Sequence, residues 1–219
     1  MKNTLKNIAL MFALTLGCAV AANAQAITSG TVDFSVAVPE AFDLRSNGTV
    51  TGVGITNSPA QSANTMLGVV LSVADASPNI DNSALTAAVP IRMRSNRSYR
   101  LQAARQTADA VSAQDFDSSD IGMSLSTPVR SGAQVNAGGD TIIAPYTVGG
   151  GGNVGGLATG LSGGTTIVNG DRISNQGDNN SSDNFATATL NFSIARQYYT
   201  PTAGTPFTQK VTVSISAQP

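Results

Sequence analysis

The 219-residue sequence contains no histidine, no tryptophan and one cysteine, and only 11% of its residues are charged. Each scarcity excludes a chemistry. Without histidine, a serine nucleophile has no imidazole to take its proton, and no side chain titrates near neutrality by default. Zinc and copper sites lean on histidine and cysteine, and thiol catalysis needs a cysteine. A lone cysteine also leaves no intramolecular disulfide, so stability must come from a core and a hydrogen-bonded framework.

What is present begins with the pattern of an export leader. Lys2 and Lys6 form a basic start, residues 8–17 are mostly apolar, and Ala22-Asn23-Ala24 has the small-x-small form of a signal-peptidase site. The apolar run is shorter than the ~20 residues of a membrane-spanning helix, and no later stretch qualifies either. The expected organisation is a signal peptide over 1–24 and a single exported domain over 25–219, in the periplasm, at the cell surface or outside the cell. A cut before Cys18 would give a lipid-anchored terminus, but Thr15-Leu16-Gly17 fits that signal poorly. Removing Lys2 and Lys6 leaves 10 basic residues against 13 acidic, with Lys210 the sole lysine and Glu40 the sole glutamate.

The exported part reads as all-β. Val32, Phe34, Val36 and Val38 alternate with polar or small residues and stop at Pro39; Ala186, Ala188, Leu190, Phe192 and Ile194 do the same over 185–195, and Val211, Val213 and Ile215 over 207–216. Further strands are expected over 121–126, 141–148 and 165–168. Residues 66–73 form a more continuous apolar run, expected to be covered on both faces. Residues 91–103 read as a hairpin around Ser95-Asn96-Arg97-Ser98, or as one bulged strand. Residues 103–114 have helix-compatible composition without an apolar stripe, which allows one short helix or none. Regular alternation and turn-rich connections predict an antiparallel β-sandwich with a long glycine-rich loop.

That loop holds nine glycines in residues 149–164. Gly150, Gly152 and Gly155 satisfy G-x-G-x-x-G, but no helix is expected after them to hold a pyrophosphate. Gly160-Leu161-Ser162-Gly163-Gly164 satisfies G-x-S-x-G without a histidine to serve it. A serine–lysine dyad could draw only on Lys210, on the polar side of the last strand. The glycine-rich loop and the polar stretch 175–184 are expected on the surface with little part in the core.

Hard oxygen ligands are the one metal option left. Asp115, Asp117 and Asp120 miss the spacing of an EF-hand loop, and Asp178, Asn179, Asn180, Ser181, Asp183 and Asn184 form a second oxygen-rich run; both read more simply as turn residues. No metal and no cofactor is therefore expected. Hydrolysis by Asp115 or Asp117 is a third class, disfavoured because no second acidic cluster accompanies them. Arg92, Arg94, Arg97 and Arg100, with Arg105, gather half of the exported chain's basic residues into fourteen positions. They form a candidate patch for an acidic polysaccharide or a partner protein, or a solvated strand face that discourages edge-to-edge pairing. Nucleic acid is not expected, since the chain is acidic overall and lacks interleaved aromatics.

The leader, the alternating residues 31–38 and the final Lys210-Val211-Thr212-Val213-Ser214-Ile215-Ser216-Ala217-Gln218 make the chain ends resemble bacterial fimbrial or surface-fibre subunits with immunoglobulin-like β-sandwich folds. The resemblance implies that a strand of one subunit completes the sheet of its neighbour, with Val32, Phe34, Val36 and Val38 as the donor side chains. The chain lacks the disulfide pair of many pilins and the near-terminal aromatic of chaperone-assembled subunits. The leading expectation is thus a non-enzymatic structural or adhesive protein that self-associates or joins other envelope proteins. The alternative is a monomeric binding module for carbohydrate or calcium.

Overall fold

Strands in this chain are built where aliphatic residues alternate with hydroxyl or amide residues, because period-two alternation gives a pleated segment one face to bury. The computed structural model describes residues 39–53, 55–73, 85–106, 117–133, 135–160, 164–174, 184–194 and 207–219. All belong to the unit Pro39–Pro219. The expected leader cleavage site and the candidate donor residues Val32, Phe34, Val36 and Val38 lie outside the described residues.

Two sheets pack face to face. The first contains β1 (Phe42–Ser46), β2 (Thr51–Val53), β5 (Leu85–Ser95), β7 (Gly122–Leu125), β8 (Val129–Ser131) and β12 (Phe185–Ile194). Its centre is the long β5–β12 ladder; β1 and β2 share one flank of β5, and β7 and β8 share the far flank of β12. The second runs in the order β3 (Ile55–Ala63), β4 (Met66–Val73), β13 (Phe207–Ala217), β6 (Tyr99–Arg105), β11 (Thr165–Gly170) and β9 (Asp140–Ile142). Among the described strands pairing is antiparallel, except that the two-residue β10 (Ala158–Thr159) runs parallel to β6; an isolated bridge between Leu125 and Thr147 is also parallel. No α-helix occurs among the described residues. The all-β antiparallel sandwich read from the sequence is therefore the fold.

The inner faces follow the alternation. Leu85, Ala87, Val89, Ile91 and Met93 of β5 and Ala186 to Ile194 in alternate positions of β12 are buried against Leu67, Val69 and Leu71 of β4 and Val211, Val213 and Ile215 of β13. Each fully buried aliphatic side chain contributes ~1.5–3 kcal/mol.

Several expectations are corrected. Residues 91–103 form neither a hairpin nor one strand: β5 lies in the first sheet and β6 in the second, and 96–98 turn the corner between them. Both flanks of β5 are occupied by β1 and β12, and both flanks of β6 by β13 and β11, so neither has a free side for the other. Strand β4 is fully buried on one face only: Leu67, Val69 and Leu71 are buried, while on the other face Gly68 is buried but Val70 and Ser72 are only partly so. Residues 103–105 end β6 rather than starting a helix, and 107–116 lie outside the described residues.

The glycine-rich segment is also more than a surface loop. Val154 and Leu157 enter the core. Its backbone lies along the free side of β7: the Met123 N–H donates to Gly152 O at 2.6 Å, the Leu125 N–H to Tyr146 O at 2.9 Å, and the Val154 N–H to Ile121 O at 2.8 Å. An exposed sheet edge is a template for aggregation, and covering it with a loop removes that template. Glycine is required where this cover folds back on itself, since a Cβ on Gly150 would stand 2.2 Å from Pro145 O. Gly150→Ala is expected to cost ~1–3 kcal/mol in urea unfolding and to raise aggregation, whereas Gly139→Ala, whose Cβ meets nothing within 4 Å, leaves stability unchanged or raised by up to ~1 kcal/mol.

Candidate functional site

The four arginines of the predicted patch do not share one surface. Arg92 and Arg94 stand on the outer face of the first sheet, Arg100 stands on the outer face of the second, and Arg97 occupies the corner between β5 and β6. Alternation along one strand does keep Arg92 and Arg94 together. The change of sheet at 96–98 sends Arg100 to the opposite side of the sandwich.

Arg97 is committed to an ion pair with Glu40. Beside it the Asn96 side chain accepts from the Ala41 N–H at 2.9 Å and donates to Pro39 O at 2.9 Å, and the Asn96 N–H donates to Ala41 O at 3.2 Å. Residues 39–41 are thus fastened to the corner. Arg100 donates through Nε to Ser216 Oγ at 3.2 Å. It borders an open groove of about 410 Å³ with Ile143, Thr166, Asn169, Gln218 and Pro219. Gln218 in that groove is bonded to the carbonyls of Tyr99 and Gly170.

On the first sheet, register brings in residues that sequence reasoning did not connect. Arg45 of β1 lies directly opposite Arg92, and Asp43 opposite Arg94. Arg45 pairs with Asp43 at 2.8 Å, and the Arg92 guanidinium sits over the Phe185 ring, 5.3 Å from its centroid. Arg94 Nε is buried with no hydrogen-bond partner.

The catalytic and metal patterns acquire structural roles where they are described. Gly150, Gly152 and Gly155 precede or lie within a single 3-10 turn, Val154–Gly156, rather than a helix. Ser162 lies outside the described residues, as do Asp115, Asp178, Asn179, Asn180, Ser181 and Asp183; Asn184 is buried. Asp117 caps the turn Ser118–Asp120: it accepts from the Ser119 N–H at 2.6 Å and from the Ser119 hydroxyl, while Asp120 accepts from the Asp117 N–H at 2.8 Å. The Ser119 hydroxyl, its backbone N–H and the more distant Arg105 charge hold the Asp117 carboxyl below its ordinary pKa. Among the described residues no three His, Cys, Asp or Glu side chains gather into a metal-holding group.

A buried polar network escaped the sequence altogether. Arg130 of β8 points inward, opposite Ala186. Its Nε and Nη2 hold Asp140 of β9 at 3.0 and 2.7 Å, Nη1 donates to the carbonyls of Asn136 and Arg172 at 2.9 and 2.7 Å, and Nη2 also donates to Asp171 O at 2.9 Å. All five guanidinium donors are used. Asp140 further accepts from the Tyr99 hydroxyl at 2.8 Å. The side chains of Arg130 and Asp140 are only 9% and 4% exposed. Burial, reinforced by the Asp140 charge, pushes the Tyr99 phenol well above its ordinary pKa. Burial alone would favour a neutral Arg130, but the hydrogen bonds and charge of Asp140 outweigh it and raise the Arg130 pKa. The arrangement joins the two sheets through a buried ion pair and its hydrogen bonds.

Asp140→Ala strands a buried guanidinium and is expected to cost ~3–5 kcal/mol, while Tyr99→Phe costs ~1 kcal/mol, both read from denaturant midpoints. A phenol whose folded pKa lies above its unfolded one stabilises fully below about pH 10. Stability is then lost as pH climbs past that value, because the unfolded chain gives up its proton first. The wild type should show this alkaline fall, and Tyr99→Phe a smaller one.

No protein-family model, curated protein or solved structure matches this chain.

Proposed function

We propose that the protein is a non-enzymatic, exported structural or adhesive subunit of immunoglobulin-like, fimbrial-like type. In this reading, residues 31–38 of one copy add as a strand to the sheet of the next. The observation that carries it is the fastening of residues 39–41 by Asn96 and Arg97, directly after the alternating stretch. A donated strand transmits force and position only if its root is fixed to the body that donates it. Strand addition then supplies main-chain hydrogen bonds for affinity and alternate side chains for specificity.

The acceptor in this proposal is β3. It is nine residues long and, among the described residues, stands at the end of its sheet with β4 as its ladder partner. Pro59 in the middle of β3 leaves the open side one donor short and limits the registers an added strand can take. Two shorter flanks find other partners: the Leu44 N–H of β1 donates to Asn64 O at 2.7 Å, and the glycine-rich segment covers β7. A calcium-binding role draws no support from Asp117 and Asp120, which serve backbone N–H groups within their own turn.

Size-exclusion chromatography and negative-stain microscopy of the exported protein test the reading. The wild type is expected to form oligomers or filaments. Deleting residues 31–38, or replacing Phe34 with Asp, should give a folded monomer with unchanged circular dichroism. A wild type that stays monomeric at all concentrations, or a deletion that assembles as before, refutes strand donation by this segment.

A further inference from the structure

The outer face of the first sheet carries a charge arrangement that the fold does not neutralise. Arg45, Arg92 and Arg94 stand together by register, with Asp43 as the acidic residue among them. Two arginines directly opposite each other repel. Asp43 answers one of them by bonding Arg45. Arg92 rests on the Phe185 ring, and neither Arg92 nor Arg94 has a carboxylate partner among the described residues. The sequence as a whole is acidic, with net charge −1, so this excess of positive charge is local.

The ground beside it is polar. Thr187 lies opposite Arg92, and Thr189, Asn191 and Ser193 continue the outward row along β12. At ~3.4 Å per residue the row from Thr187 to Ser193 spans ~20 Å. A small anion would use the guanidiniums and leave the row idle. An extended polymer bearing both oxyanions and hydroxyls would engage both, the arginine forks taking carboxylate or sulfate oxygens and the hydroxyl and amide side chains taking sugar hydroxyls. Nucleic acid fits less well, because Phe185, the aromatic ring on this face among the described residues, is already occupied by Arg92 and base stacking needs free ring faces.

We propose that the outer face of the first sheet, centred on Arg45, Arg92, Arg94 and Phe185, binds a linear anionic polysaccharide. This gives the adhesive half of the proposed function a ligand class, and it does not depend on strand donation.

The test is affinity electrophoresis of the full exported protein through gels containing alginate, dextran sulfate, unmodified dextran or single-stranded DNA, with chromatography of the same samples reporting assembly separately. Retardation by alginate identifies carboxylate recognition and retardation by dextran sulfate identifies sulfate recognition; either supports the site. The Arg92→Gln/Arg94→Gln variant should lose about tenfold or more in affinity, and Arg45→Gln, on a half-exposed side chain that the core does not need, should weaken it in the same direction. Arg100→Gln, on the opposite sheet, should bind as wild type. Absence of retardation by both anionic glycans, equal retardation by dextran or DNA, or unchanged binding in both the double variant and Arg45→Gln overturns the proposal. Retention by monomeric fractions supports it even if the protein never polymerises.

Discussion

The two sheets are held in register at one end by a single guanidinium. Arg130 comes from a three-residue strand of the first sheet, and its five donors reach Asp140 in the second sheet and the carbonyls of Asn136, Asp171 and Arg172. A lysine there would offer three donors without the planar fork, so the position demands arginine. The remaining oxygen demand of Asp140 is met by Tyr99, whose ring is fully buried. Gly170 makes room for this contact, since a Cβ there would stand 2.3 Å from an Asp140 oxygen and 2.4 Å from the Tyr99 ring. In a chain without disulfides this buried constellation does what a cross-link would do. It fixes which loop meets which strand, at the cost of desolvating two charges.

Around that lock, the outer flanks are treated one by one. The first sheet is stitched to the β3–β4 turn through Leu44 and Asn64, and β7 is covered by the glycine-rich backbone. Neither device involves a titrating group or a cavity. Among the described residues, the molecule presents outward the segment 39–41 fastened by Asn96 and Arg97, the Pro59-containing strand β3, and a positively charged face on the other sheet.

The sequence disclosed those parts of the fold that obey local periodicity. β12 and β13 announce themselves because five and three successive alternate positions are aliphatic or aromatic, and each of these residues is buried as expected. Strand β3 was silent: Ile-Thr-Asn-Ser-Pro-Ala-Gln-Ser-Ala has no apolar alternation, and its strand state follows from pairing with β4. The corner at 96–98 was misread because a turn sequence states that the chain reverses or bends, not which sheet receives it. Arg92 and Arg94 were rightly placed on one face by period two, yet Arg45 and Phe185 joined them only through register between distant strands. Arg130 was indistinguishable from a surface arginine, since nothing local marks an inward-facing charge; its partner is defined by tertiary approach alone.

The second sheet ends differently on its two sides, with nine residues of β3 at one margin and three of β9 at the other. In the proposed strand addition the donor is the segment 31–38 and the acceptor is the long margin, so the two surfaces that meet are different. A contact of that kind is heterologous, and unless its rotation closes into a ring it would propagate as an open helix. Any polymer grown this way is polar: one terminus exposes a vacant margin, the other an unspent arm, and the two are chemically distinct places for a cap or an anchor.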